Sequence, residues 1–308
     1  MKIAVMGTGG VGGLFGTRLA QTGCDVTFIA RGHHLEAIRK HGLRVLSEHL
    51  GDALIAKAKA TSDPTEVGVV DHILFTVKLW DTESAARLIK PMVGENTAVI
   101  SLQNGVARDE VLRREVGEKH VVGGISYVAA TIEEPGVIIQ RGNAQKLVIG
   151  EYGAEPSSPR VQKLKEACEK AGIEVTIPDD IEKALWNKFV ALVGMSTLTA
   201  ATRLSVGPVR ENPETRALLV RTMKEVYEVG LKKGVNLESS IVDTQMQYMD
   251  SLAPDVTASM EHDLRHGNRL ELPWLAGAAV DMGKELGVET PVCSILSAIL
   301  SPYLMGDR

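Results

Sequence analysis

Short apolar runs and amphipathic stretches alternate through the first half of the chain. Residues 2–6, Lys-Ile-Ala-Val-Met, form an apolar run closed by glycines, which predicts a buried strand. Residues 11–22 have helical composition, and residues 25–30, Asp-Val-Thr-Phe-Ile-Ala, predict a second strand. β-rich apolar runs recur at 73–77, 98–102, 121–122 and 175–177, with helices predicted between most of them, such as 82–92 and 107–116. Alternating strands and helices predict a parallel sheet covered on both faces. Residues 126–149 break the rhythm: strand-like runs flank a Pro135-Gly136 turn with no helical period. They predict antiparallel strands added to the parallel sheet. A polar helix is predicted over 159–171.

After Pro178 the pattern changes. Asp179 and Asp180 read as a helix start, and the chain is then helical to its end, with breaks near Pro208, Pro213, Pro254, Pro273 and Pro291. The expected fold class is therefore α/β: a doubly wound domain over residues 1–178 with added antiparallel strands, then an all-helical domain over 179–308. The length of 308 residues suits two domains at about 150 residues each.

Composition removes several classes of function. A net charge of −5 and only 4% aromatic residues argue against a protein built to bind nucleic acid. No stretch reaches about 18 uninterrupted apolar residues, so no membrane span is expected. The richest, 189–201, is short and directly preceded by Lys188. The apolar N-terminus resembles a secretory leader, but Gly7, Gly9, Gly10, Gly12 and Gly13 would break its helix. Cys24, Cys168 and Cys293 are far apart and odd in number, which suggests neither a disulfide framework nor a zinc site. A reducing cytoplasm is the expected location.

The glycines point to chemistry. Residues 7–12 read Gly7-Thr8-Gly9-Gly10-Val11-Gly12, a GxGxxG between a predicted strand and a predicted helix. In such a loop the first glycine permits a tight turn and the second admits a pyrophosphate. The third lets helix and strand pack closely, with the helix N-terminus facing the anion. This context predicts a dinucleotide-binding, Rossmann-type domain. An NAD site places an acid at the end of the second strand, to accept from the ribose 2′-hydroxyl. Here the chain reads Ala30-Arg31-Gly32, so Arg31 predicts a 2′-phosphate and hence NADP(H). A solvated surface arginine is the alternative. Lys78, just past the strand at 73–77, could assist.

Lys188 lies within about 60° of Ile181, Leu185 and Leu192 on one predicted helix. A lysine on an apolar stripe either snorkels or is drawn by partial burial towards general-acid chemistry. Glu271, between Leu270 and Leu272 and before Pro273, is either a helix N-terminal carboxylate or a functional one. Ser259 reads by itself as a surface hydroxyl, and Asn104-Gly105 as a turn at a strand's carboxyl end. His262 and His266 are four apart but lack the HExxH order and a third ligand, so no metal site is expected.

Together these residues resemble the ketopantoate reductase (2-dehydropantoate 2-reductase) family over essentially the whole chain. The landmarks are Gly7–Gly12, Arg31, Thr76-Val77-Lys78, Leu102-Gln103-Asn104-Gly105-Val106 and Pro135-Gly136. They continue with Leu185-Trp186-Asn187-Lys188, Leu198-Thr199-Ala200, Ser259-Met260, Gly267 and Glu271. The resemblance implies a Rossmann domain and a helical domain for substrate binding and dimerisation, with the active site in the cleft between them. It implies that residues 7–12 hold the pyrophosphate, with Arg31 and Lys78 on the 2′-phosphate and Asn104 near the nicotinamide ribose and substrate. Lys188 would be the catalytic lysine, Glu271 would order it and the substrate hydroxyl, and Ser259 would bind substrate.

One departure bears on the substrate. Family members that reduce ketopantoate usually carry asparagines one and two turns after the lysine and another further on. This chain has Leu192, Ser196 and Val206 there, so Ser196 is the polar group left for substrate. The expected reaction is NADPH-dependent reduction of ketopantoate to (R)-pantoate in pantothenate and coenzyme A biosynthesis. The alternatives are a related reductase of another 2-oxo acid and a non-catalytic NADP-sensing protein. A small 2-oxo acid is the expected partner, and the helical domain has apolar surface enough for a homodimer.

Overall fold

Six strands of one sheet run parallel in the computed structural model, which describes residues 1–153 and 155–306. The expected domain end at 308 therefore lies outside the described residues. The chain divides into two units, Met1–Gln103 with Arg108–Ile181, and Asn104–Ala107 with the chain from Glu182 onward.

The first unit holds strands β1 (Lys2–Met6), β2 (Asp25–Ile29), β3 (Leu43–Ser47), β4 (Ala53–Ile55) and β5 (Lys59–Thr61). They are followed by β6 (Val70–Phe75), β7 (Val93–Ser101), β8 (Val121–Glu134), β9 (Val137–Gly150) and β10 (Glu174–Thr176). Its helices are α1 (Gly10–Gln21), α2 (Gly32–His41), α3 (Thr82–Leu88), α4 (Arg108–Val116) and α5 (Pro159–Lys170). The sheet order is β4-β3-β9-β8-β7-β6-β1-β2-β5, with β10 beside β9. From β5 through β2, β1, β6 and β7 to β8 every pairing is parallel. This is the doubly wound arrangement, and the chain reverses its direction of travel across the sheet between β1 and β6. β8 and β9 form the expected antiparallel hairpin around Pro135-Gly136.

Alternation explains why these strands read as continuous apolar runs. Ile3, Val5, Leu74 and Ile100 pack on one face with Leu14, Phe15 and Leu19 of α1. Ala4, Met6, Ile73, Phe75 and Val99 pack on the other with Ala85, Ala86 and Leu112. Both faces are buried, so no polar alternation survives.

Several elements differ from the sequence prediction. α2, β3, β4 and β5 occupy residues 32–61, where no element is predicted; two of these strands span three residues, too few to show a period. Helix α3 stops at Leu88 and gives way to a 3-10 turn, Lys90–Met92, because Pro91 disfavours helical backbone before it. The run at 121–122 is only the start of a 14-residue strand.

The second unit is helical: α6 (Ile181–Thr202), α7 (Val206–Glu211), α8 (Pro213–Lys232), α9 (Ile241–Ser251), α10 (Ser259–Arg265), α11 (Ala276–Leu286) and α12 (Pro291–Leu300). Trp186, Phe189, Val190 and Val193 of α6 pack with Leu219, Met223, Val226 and Val229 of α8. Gly194 permits this approach, since a Cβ there would stand 2.9 Å from the Leu219 side chain. The break expected near Pro208 lies at 203–205, between α6 and α7; Pro208 itself sits in the first turn of α7, where a missing N–H costs nothing. Pro213 and Pro291 open their helices in the same way.

Candidate functional site

The loop after β1 is stitched to the ends of two neighbouring strands. Gly7 has φ +97°, and a Cβ there would sit 2.7 Å from the Val77 amide nitrogen, so no larger residue fits. The Thr76 hydroxyl donates to the Gly7 carbonyl at 2.6 Å, and the Thr76 N–H to Met6 at 2.9 Å. The Thr8 N–H and hydroxyl both donate to the Ile29 carbonyl, each at 3.0 Å. Both donors of Thr8 are thus taken by the end of β2. A Cβ on Gly10 would strike the Ala130 carbonyl at 2.0 Å, and one on Gly12 the Thr76 hydroxyl at 2.3 Å.

Gly9 is the exception. No described atom lies within 4 Å of the position its Cβ would take. The open side of the loop is therefore at Gly9, where α1 begins without a side-chain cap and without an acid in its first turn. The amides of Gly10, Val11 and Gly12 occupy the helix positions that lack partners within the helix. An open, uncapped, acid-free N-terminus beside a bare backbone fits the pyrophosphate of a dinucleotide.

Arg31 follows β2 and precedes α2, with its side chain 76% exposed. Its Nη2 donates to Asp81 Oδ2 at 3.0 Å. Lys78 is exposed after β6, its Nζ 5.6 Å from the centre of the Trp80 ring. The ends of β2 and β6 thus supply both predicted cations, and an acid comes with them. Sequence reasoning missed Asp81 because its partner is 50 residues away and no spacing rule links them.

In the second unit, Lys188 Nζ donates to Asn104 Oδ1 at 3.1 Å. Lys188 is partly buried on α6, and 84 residues separate it from Asn104. The turn carrying Asn104 is fixed by Gly105, at φ +80°, where a Cβ would lie 3.0 Å from the Trp274 carbonyl. Trp274 closes the 3-10 turn Leu272–Trp274, and its N–H donates to the carbonyl of Glu271 at 3.0 Å. Glu271 itself is 9% exposed.

The remaining predicted residues are placed differently. Ser259 is exposed at the first position of α10, and among the described residues no hydrogen bond joins it to Lys188 or Asn104. Ser196, two turns after Lys188, is fully buried, and its hydroxyl has no partner among the described residues. Leu192 between them is partly buried, and Val206 is buried at the start of α7. Asn187 Oδ1, adjacent to the lysine in sequence, is also buried without a partner among the described residues. Among the described residues no group of three or more His, Cys, Asp or Glu could hold a metal ion, and no helix is long and apolar enough to cross a membrane.

Known proteins match this chain along nearly its whole length. Residues 3–154 match the family profile described as ketopantoate reductase PanE/ApbA, and residues 180–303 that of its C-terminal part. A 2-dehydropantoate 2-reductase of Pyrococcus horikoshii is 31% identical over 300 residues, covering 97% of this chain and 96% of that protein. A crystal structure of a PanE/ApbA family ketopantoate reductase from Ralstonia eutropha JMP134 is 32% identical, with a TM-score of 0.88 over 98% of both chains. A D-mandelate dehydrogenase solved with NADH and anilino(oxo)acetate shares the fold at 22% identity, with a TM-score of 0.87 over 98% of both chains.

Proposed function

The chain belongs to the ketopantoate reductase family and is an oxidoreductase, and from that premise we propose that it reduces 2-dehydropantoate (ketopantoate) to (R)-pantoate with NADPH. The observation that carries this reading is the bond from Lys188 Nζ to Asn104 Oδ1. It aims an ammonium group from a partly apolar helix face and holds it by an acceptor that takes no proton away.

Bound dihydronicotinamide would supply hydride to the ketone carbon. As negative charge grows on the ketone oxygen, Lys188 stabilises it and transfers a proton to it, leaving a hydroxyl and a neutral amine that solvent reprotonates. Asn104 keeps Nζ in place, close to the nicotinamide ribose and substrate. Glu271 orders the lysine and the substrate hydroxyl, and Ser259 contributes to substrate binding; Ser196, expected to do so from the sequence, is buried away from it.

The first domain, residues 1–178, would take the cofactor and the second, 179–308, the substrate. Gly7, Thr8, Gly9, Gly10, Val11 and Gly12 form the pyrophosphate cradle, with Thr8 shaping it. Arg31 and Lys78 receive the 2′-phosphate. The enzyme would act in the cytoplasm, as a homodimer, in pantothenate and coenzyme A biosynthesis.

NADPH oxidation with a panel of 2-oxo acids tests the reading. Turnover of ketopantoate with kcat/KM of about 10⁴ M⁻¹s⁻¹ or above is expected. NADPH binding without turnover of any acid would leave a sensor instead.

A second reading, reduction of a more apolar 2-oxo acid, is favoured by Leu192 and by the sealed hydroxyl of Ser196. A site without hydrogen-bond partners cannot reward a hydroxyl on the substrate. Comparing ketopantoate with 3,3-dimethyl-2-oxobutanoate, which lacks only that hydroxyl, separates the two. A preference for ketopantoate supports the first reading, and indifference or the reverse supports the second.

A further inference from the structure

The acid that a dinucleotide site ordinarily takes from the end of its second strand is missing after β2. The fold returns one from elsewhere. Asp81 ends the 3-10 turn Leu79–Asp81 that follows Lys78, and its carboxylate accepts from Arg31 at 3.0 Å. The pair bridges chain segments following β2 and β6, the strands on either side of β1 and its glycine loop.

Asp81 has helical backbone (φ −96°, ψ −2°) rather than the extended backbone of an N-cap, so its carboxylate is not turned to accept from the amides of α3. Its side chain makes no such bond and pairs with Arg31 instead. The pair is also poorly placed to stabilise the fold, since the Arg31 side chain is 76% exposed and that of Asp81 32%. Exposed pairs contribute little, because water screens both charges.

We propose that Arg31 and Asp81 form a two-way site for the adenosine ribose, so that Asp81 sets cofactor preference alongside Arg31. The inference rests on the dinucleotide reading of the glycine loop. A ribose with a free 2′-hydroxyl needs an acceptor, and Asp81 is the acid beside Arg31. A ribose 2′-phosphate, carrying about −1.5 to −2 at pH 7, needs the guanidinium and is repelled by the carboxylate that holds it. Arg31 then exchanges Asp81 for the phosphate. Asp81 therefore favours NADH and works against NADPH, which narrows a selectivity that Arg31 alone would make wide.

Dissociation constants for NADPH and NADH, read from dihydronicotinamide fluorescence, test this without turnover. Asp81→Asn should weaken NADH about tenfold, the loss of a charge-assisted hydrogen bond, while tightening NADPH. Asp81→Ala should shift the ratio of the two constants in the same direction. Arg31→Ala should shift it the opposite way, towards NADH. Unchanged ratios in both Asp81 variants, folded by circular dichroism, overturn the inference. Wild-type protein that binds neither dinucleotide overturns the reading beneath it.

Discussion

A general acid works only if its proton is held where charge will appear. In the role proposed for it, Lys188 is held by its bond to Asn104 at 3.1 Å. Lys188→Ala should lower kcat by at least about 10²-fold while dinucleotide affinity stays as in the wild type. Stopped-flow and equilibrium titration separate the two quantities, and an unchanged kcat would remove the lysine from the chemistry. The sequence points to Lys188 because it interrupts an apolar stripe. It points to Asn104 only as half of a turn, since hydropathy carries no record of a partner 84 residues away. Ser196 shows a further limit: its hydroxyl looks available in the sequence and is sealed in the fold.

The turn between β1 and α1 is legible at the scale of an element, because steric demand is written directly in glycine. What the sequence conceals is that its glycines serve different ends. A Cβ on Gly12 would meet Thr76 and the Gly7 carbonyl at 2.3 and 2.4 Å, whereas one on Gly9 would meet nothing within 4 Å. Gly12→Ala should therefore lower unfolding free energy by about 1–3 kcal/mol, the usual cost of overpacking, and weaken dinucleotide binding too. Gly9→Ala should leave the denaturation midpoint unchanged and weaken binding alone. Equal loss of stability in both variants would contradict this division of labour. The region from α2 to β5 was illegible for the opposite reason: its strands are short, and pairing with β2 and β9 defines them rather than any periodicity of their own.

For the whole molecule, acid should be destabilising in a definable window. His72, on central strand β6, is 1% exposed, with Nε2 2.9 Å from the Arg160 carbonyl and Nδ1 without a partner among the described residues. Burial, the largest influence, holds its pKa below the ordinary value; Lys163 and the Arg160 charge act in the same direction, while Asp71 and the Arg160 carbonyl oppose it. Burial also lowers the pKa of His34, whose Nδ1 accepts from the Gly136 amide at 3.0 Å. Below about pH 6.5 the unfolded chain binds protons that these folded imidazoles refuse, so stability is full above that pH and falls beneath it. Urea midpoints at about pH 7.5 and 5.5 should differ in the wild type and differ less in His72→Gln. An identical pH slope in the variant would assign the acid sensitivity elsewhere. The chain's change from alternating strands to continuous helix is plain in the sequence near Pro178. The excursion at Asn104–Ala107 is not, because four residues are too few to change local composition.

That excursion bears on how such enzymes can be recombined. The helical unit is not a contiguous cassette, because a short piece of it is encoded within the segment for the other unit. A crossover placed at the obvious boundary would give a chimera whose lysine comes from one parent and whose Asn104 turn comes from the other. Under the roles proposed for Lys188 and Asn104, exchanging specificity between relatives would take two coordinated splices, one around residues 104–107 and one near 181. A single splice risks losing activity even when both halves fold.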